Sequence, residues 1–70
     1  MPIYLAEWRK FRFLTQRELA NAASVAHRTI VAIESAEVTE PHPRTLRALA
    51  AALAIEPAEL YQRPNLEGRE

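Results

Sequence analysis

Residues 15 to 34 carry enough local signal to fix two short helices and the turn between them. Thr15 followed three positions later by Glu18 forms a capping box, in which the threonine hydroxyl accepts from the Glu18 backbone N–H and the glutamate side chain reaches back to the N–H of Thr15. Behind that cap, Leu19, Ala20 and Ala23 recur at helical spacing and face inward, and Val25, Ile30 and Ile33 supply the opposing face. Two helices cross closely only where a small side chain sits at the contact, a role the pattern gives to Ala20. The second helix opens with His27 and Arg28, polar residues at its exposed start.

Composition narrows the fold further. A chain of 70 residues makes one small domain, able to bury only about 60% of its surface. About half of its residues are hydrophobic, only one is glycine, alanine is abundant, and no segment alternates strictly between apolar and polar, so an all-α bundle is expected. The absence of cysteine excludes a disulfide framework and any thiolate metal site, and suits a reducing compartment; a cytoplasmic location is expected. No apolar run approaches the roughly 20 residues that span a bilayer, and the first residues lack the order of a signal peptide, so no membrane partner is expected. The formal charge is zero but unevenly spread, about +2 over residues 1 to 35 and about −2 over residues 36 to 70.

Caps and prolines set the remaining boundaries. Helix one is expected over residues 3 to 12, with Tyr4, Leu5, Trp8 and Phe11 as its apolar stripe and Trp8 as core anchor. Helix three should run over residues 27 to 35. Pro41 and Pro43 make residues 36 to 42 a loop, and Pro43 starts helix four, on which Leu46, Leu49, Ala50 and Leu53 form the inward stripe. Pro57 opens a short fifth helix bearing Leu60 and Tyr61, closed by Pro64. One domain is thus expected over residues 1 to 63, followed by a polar tail over 64 to 70.

Catalytic and metal chemistry find no foothold. His27 and His42 lie far apart with no cysteine nearby and make no zinc site, and Glu56 and Glu59 suit the start of a helix better than a catalytic dyad. No nucleophile stands beside a base and no glycine loop cradles phosphate, so neither an enzyme nor a cofactor is expected.

The sequence is similar to a known family at many points: Leu14-Thr15-Gln16, Glu18-Leu19-Ala20, Val25, Thr29-Ile30, Ile33-Glu34, Pro43, Thr45-Leu46, Leu49-Ala50, Leu53 and Pro57-Ala58-Glu59-Leu60. It resembles the phage-repressor and Cro type of helix-turn-helix domain, the Xre family, over residues 5 to 61. That resemblance implies a five-helix bundle of the lambda-repressor-like type with a central helix-turn-helix. It also implies a sequence-specific transcriptional regulator, expected to be a repressor, that binds a roughly palindromic operator in double-stranded DNA as a homodimer with helix three in the major groove.

Site residues follow from the resemblance position by position. Gln16 matches a residue whose side chain reaches DNA, with Arg17 beside it at the positive end of helix two. His27 and Arg28 match the first groove-facing positions of the recognition helix, followed by Thr29, Val31 and Ala32. Arg28 suits guanine O6 and N7, and Val31 and Ala32 suit a thymine methyl or close approach. Arg9 and Glu34 match a salt bridge between helices one and three, and Leu60 and Tyr61 match a dimer contact.

Several residues depart from the family pattern. Phe13 and Ser24 stand where glycine is usual and are expected at positive φ, Ala26 replaces the usual hydroxyl cap of helix three, and Glu37 and Glu40 put negative charge in a loop that often touches phosphate. That acidic loop, the neutral total charge and the small apolar surface of Val31, Ala32, Ala36 and Val38 keep a second reading open. In it the fold serves as a protein-interaction module, or as the antitoxin-like half of a two-protein system, with weak or no DNA binding.

Overall fold

The computed structural model describes residues 3–64, which form four α-helices and a closing 3₁₀ helix: α1 (Leu5–Phe11), α2 (Gln16–Ala23), α3 (His27–Glu34), α4 (Pro43–Leu53) and the 3₁₀ helix Pro57–Tyr61. Residues 65 to 70, most of the expected polar tail, lie outside the described residues. The architecture is all-α, as the composition implied, but the expected five-helix bundle resolves into four α-helices plus the 3₁₀ helix.

Helix one starts later than the sequence reading has it and the last helix is of another type, and one set of contacts accounts for both; helices one and three also end one residue early, at Phe11 and Glu34. Helix one begins at Leu5 rather than at residue 3 because the Tyr4 N–H donates across the molecule to the Leu60 carbonyl (2.8 Å), which holds Tyr4 in a non-helical conformation. The fifth helix is 3₁₀, with i to i−3 bonds from Glu59 to Glu56 and from Gln62 to Glu59. The Trp8 indole N–H is shared between the Glu59 carbonyl (2.9 Å) and the Gln62 carbonyl (2.8 Å), so a donor from α1 replaces partners that further helical turns would supply. Trp8 is buried as expected, and the Phe11 ring packs edge-on to it with centroids 5.5 Å apart.

The core draws on all four α-helices and the 3₁₀ helix. Leu5, Leu19, Ile30, Leu49, Leu53 and Leu60 have no solvent-exposed surface, each contributing roughly 1.5–3 kcal/mol by burial. α2 packs against both α3 and α4, and α4 against the 3₁₀ helix. Ala20, the small residue expected at the helix crossing, is buried on α2, as is Ala23. On α4 the inward stripe of Leu49, Ala50 and Leu53 is buried, whereas Arg44, Arg47 and Ala51 are exposed. The N-cap of α4 is His42, whose Nδ1 accepts from the Arg44 N–H (3.0 Å) ahead of Pro43.

All four α-helices end alike. An N–H to C=O bond spanning five residues closes each one: Leu14 to Arg9, Val25 to Ala20, Glu37 to Ala32 and Ile55 to Ala50, all 2.9–3.0 Å. Each bond requires a left-handed residue just before its donor. Those residues are Phe13 (φ 61°), Ser24 (57°), Ala36 (67°) and Ala54 (61°), none of them glycine. Phe13 and Ser24 were expected there; Ala36 and Ala54 carry the same strain without a sequence signal.

Candidate nucleic-acid interface

The capping box positions α2. Thr15 Oγ1 accepts from the Glu18 N–H (3.0 Å) and Glu18 Oε1 accepts from the Thr15 N–H (2.8 Å). These bonds leave the N–H groups of Gln16 and Arg17 without an acceptor among the described residues, at the positive end of the helix. α2 then runs to Ser24, whose left-handed backbone turns the chain into α3.

α3 buries Ile30 and Ile33 against α2 and turns its opposite face outward. Arg28 and Val31 are exposed, and His27, Thr29 and Ala32 are half-buried. Neither His27 nor Arg28 has a side-chain hydrogen bond or ion pair among the described residues, and Arg17 is equally exposed and unpaired at the start of α2. As expected, Ala26 supplies no side-chain cap to α3; its extended backbone (φ −66°, ψ 141°) still lets its carbonyl accept from Thr29 (3.0 Å) and Ile30 (3.4 Å). The N-terminus of the outward-facing helix therefore carries unshielded backbone donors beside an imidazole and a guanidinium.

The anticipated ion pair is present. Arg9 Nε donates to Glu34 Oε2 (2.7 Å) and Arg9 Nη2 to Glu34 Oε1 (3.2 Å), with side chains only 13% and 10% exposed. Two further bonds, unforeseen from the sequence, enlarge it. Arg9 Nη1 donates to the Leu14 carbonyl (2.8 Å), and Gln16 Nε2 donates to Glu34 Oε1 (2.9 Å). The network joins α1, the turn before α2, α2 and the last residue of α3. Gln16 is thus engaged on one side before any ligand arrives.

Elsewhere, Arg12 Nε donates to the Leu53 carbonyl (2.8 Å) at the end of α4 while its guanidinium lies over the Phe11 ring at 5.1 Å, neither contact being legible in residue spacing. The two expected dimer residues separate: Leu60 has no exposed surface and belongs to the protein's own core, so its side chain is not free to meet a second copy, whereas Tyr61 is half-buried. In the segment after α3, Glu37 and Glu40 are exposed, and the N–H groups of Glu37 and Val38 fold back onto the Ala32 carbonyl. Among the described residues no group of acidic, histidine or cysteine side chains is placed to hold a metal ion, and no helix is long and apolar enough to cross a membrane.

A short helix pair around a tight turn, with one helix braced inside the bundle and the next presented outward, defines a helix-turn-helix module. The Helix-turn-helix family model matches residues 5–60, and the chain belongs to this family, in its Xre and Cro branch; its fold is that of a binding module rather than a catalyst. Among solved structures it is similar to the N-terminal DNA binding domain of SinR from Bacillus subtilis, with a TM-score of 0.79 and 26% sequence identity over 87% of this chain and 88% of that one. No curated protein matches the chain.

Proposed function

We propose that this domain is a sequence-specific transcriptional regulator, a cytoplasmic repressor that binds a roughly palindromic operator as a homodimer with α3 in the major groove. The observation that carries the reading is the unpaired state of His27 and Arg28 on the outward face of α3, together with the open N–H groups of Gln16 and Arg17 at the start of α2. Backbone donors at α2, with Arg17, hold phosphate and fix register, while Arg28 reads guanine and Val31 meets a thymine methyl. Two such helices on a symmetric dimer meet half-sites about one helical turn apart. Tyr61 is the candidate left for the dimer contact. Similarity to a DNA-binding domain that shares most of its length with this chain supports the assignment.

Binding to DNA from upstream of the chain's own coding region, titrated at about 50 mM and about 200 mM salt, tests the reading. Specific binding that weakens with salt and is lost in Arg28→Ala is expected. No affinity of the wild type at the lower salt would overturn it. The interaction-module reading would then take over, favoured by the exposure of Val31 and Val38 and by the exposed Glu37 and Glu40 close by in sequence.

A further inference from the structure

The bond from Gln16 Nε2 to Glu34 Oε1 links two features otherwise read separately, an internal ion pair and a DNA-facing glutamine. We infer that Glu34 is a positioning residue for DNA binding, holding the Gln16 carboxamide in the orientation in which it meets a phosphate. The inference rests on the DNA reading above. A primary amide has two N–H donors and one carbonyl acceptor. A carboxylate can only accept, so Glu34 fixes which end of the amide turns inward: the nitrogen, through one N–H. The second N–H and the carbonyl have no partner among the described residues. That second N–H is the group a phosphate oxygen needs, next to the open backbone N–H groups of Gln16 and Arg17.

A carboxylate beside a phosphate would ordinarily repel it. Arg9 removes that objection, since it meets both oxygens of Glu34 and leaves the pair without net charge. Its third bond, to the Leu14 carbonyl, ties the pair to the turn immediately before the capping threonine. Gln16 is therefore pre-ordered from α1 and α3 together, and the side-chain entropy otherwise lost on meeting DNA is lost on folding instead.

The test is a double-mutant cycle on the whole chain, read by fluorescence anisotropy with a short labelled duplex of mixed sequence, because a phosphate contact does not depend on base identity. In the wild-type background, Gln16→Ala should weaken binding about tenfold, the scale of one charge-assisted hydrogen bond. In an Arg9→Met, Glu34→Met background, where apolar side chains of similar length replace the pair and favour retention of the fold, the same substitution should cost less than about twofold. An undiminished tenfold loss there would show that the pair acts only on stability and overturns the inference. If the Met pair fails to fold, nitrogen-edited NMR of the wild type decides. A rigid Gln16 side-chain amide with its two protons widely separated supports the positioning role, and a motionally averaged amide overturns it. A wild type that does not bind duplex at all defeats the DNA reading itself, an outcome distinct from binding without coupling.

Discussion

Replacing Ala54 by glycine should raise the stability of this domain. Ala54 ends α4 at φ 61°, where a residue bearing a Cβ pays about 1–2 kcal/mol relative to a right-handed conformation. Glycine pays no such penalty but loses more freedom on folding, which returns roughly 0.5–1 kcal/mol of the gain. The net expectation is a stabilisation of about 0.5–1 kcal/mol. For a domain of this size that corresponds to a rise in Tm of roughly 2–8 °C. The methyl group removed is exposed and the Ile55 N–H to Ala50 carbonyl bond that closes the helix is untouched, so no packing loss competes. Ala36, at φ 67° and equally exposed, should behave alike, and the two substitutions together should roughly add because they end different helices. Urea unfolding followed by the fluorescence of Trp8, the sole tryptophan, measures the change directly. A midpoint equal to or below that of the wild type would refute the claim that these caps are strained. Ala54→Val, which adds a β-branch at the same backbone angle, should shift the midpoint the opposite way.

Other perturbations separate local from long-range terms. Thr15→Ala removes the acceptor for the Glu18 N–H and should cost about 1 kcal/mol, and His42→Ala should cost a similar amount at α4, both read by thermal unfolding. Trp8→Phe keeps most of the buried ring but leaves the Glu59 and Gln62 carbonyls without their indole donor; a loss of about 1–3 kcal/mol is expected, with faster amide exchange around the 3₁₀ helix. Glu34→Ala strands three donors, on Arg9 and Gln16, and should destabilise by about 1.5–3 kcal/mol, whereas the Arg9→Met, Glu34→Met pair should be nearly neutral. A double variant as unstable as Glu34→Ala would show that the pair is worth more than an apolar replacement.

The features legible in the sequence were those set by short range. The capping box at Thr15, the inward stripe on α4 and the proline that starts it each depend on residues within a turn or two, and the structure holds them in place. The left-handed helix ends at Ala36 and Ala54 have no marker in the sequence, because the usual marker is glycine and the only glycine is Gly68. The 3₁₀ form of the last helix depends on an indole 51 residues away, and Gln16 meets a carboxylate 18 residues away. Neither separation leaves a periodic trace. Leu60 shows another limit, since a family resemblance does not tell a leucine that fills the protein's own interior from one that awaits a second copy.

The bond between Tyr4 and Leu60 brings the entry and exit of the described chain side by side. Together with the indole of Trp8 it makes the bundle a closed loop, fastened at a clasp remote in sequence from α2 and α3. Shortening the chain to the helix pair alone, or cutting it before residue 60, should open that clasp and cost α3 its fixed presentation. A circular permutant that joins the two ends by a brief linker and opens elsewhere should retain it.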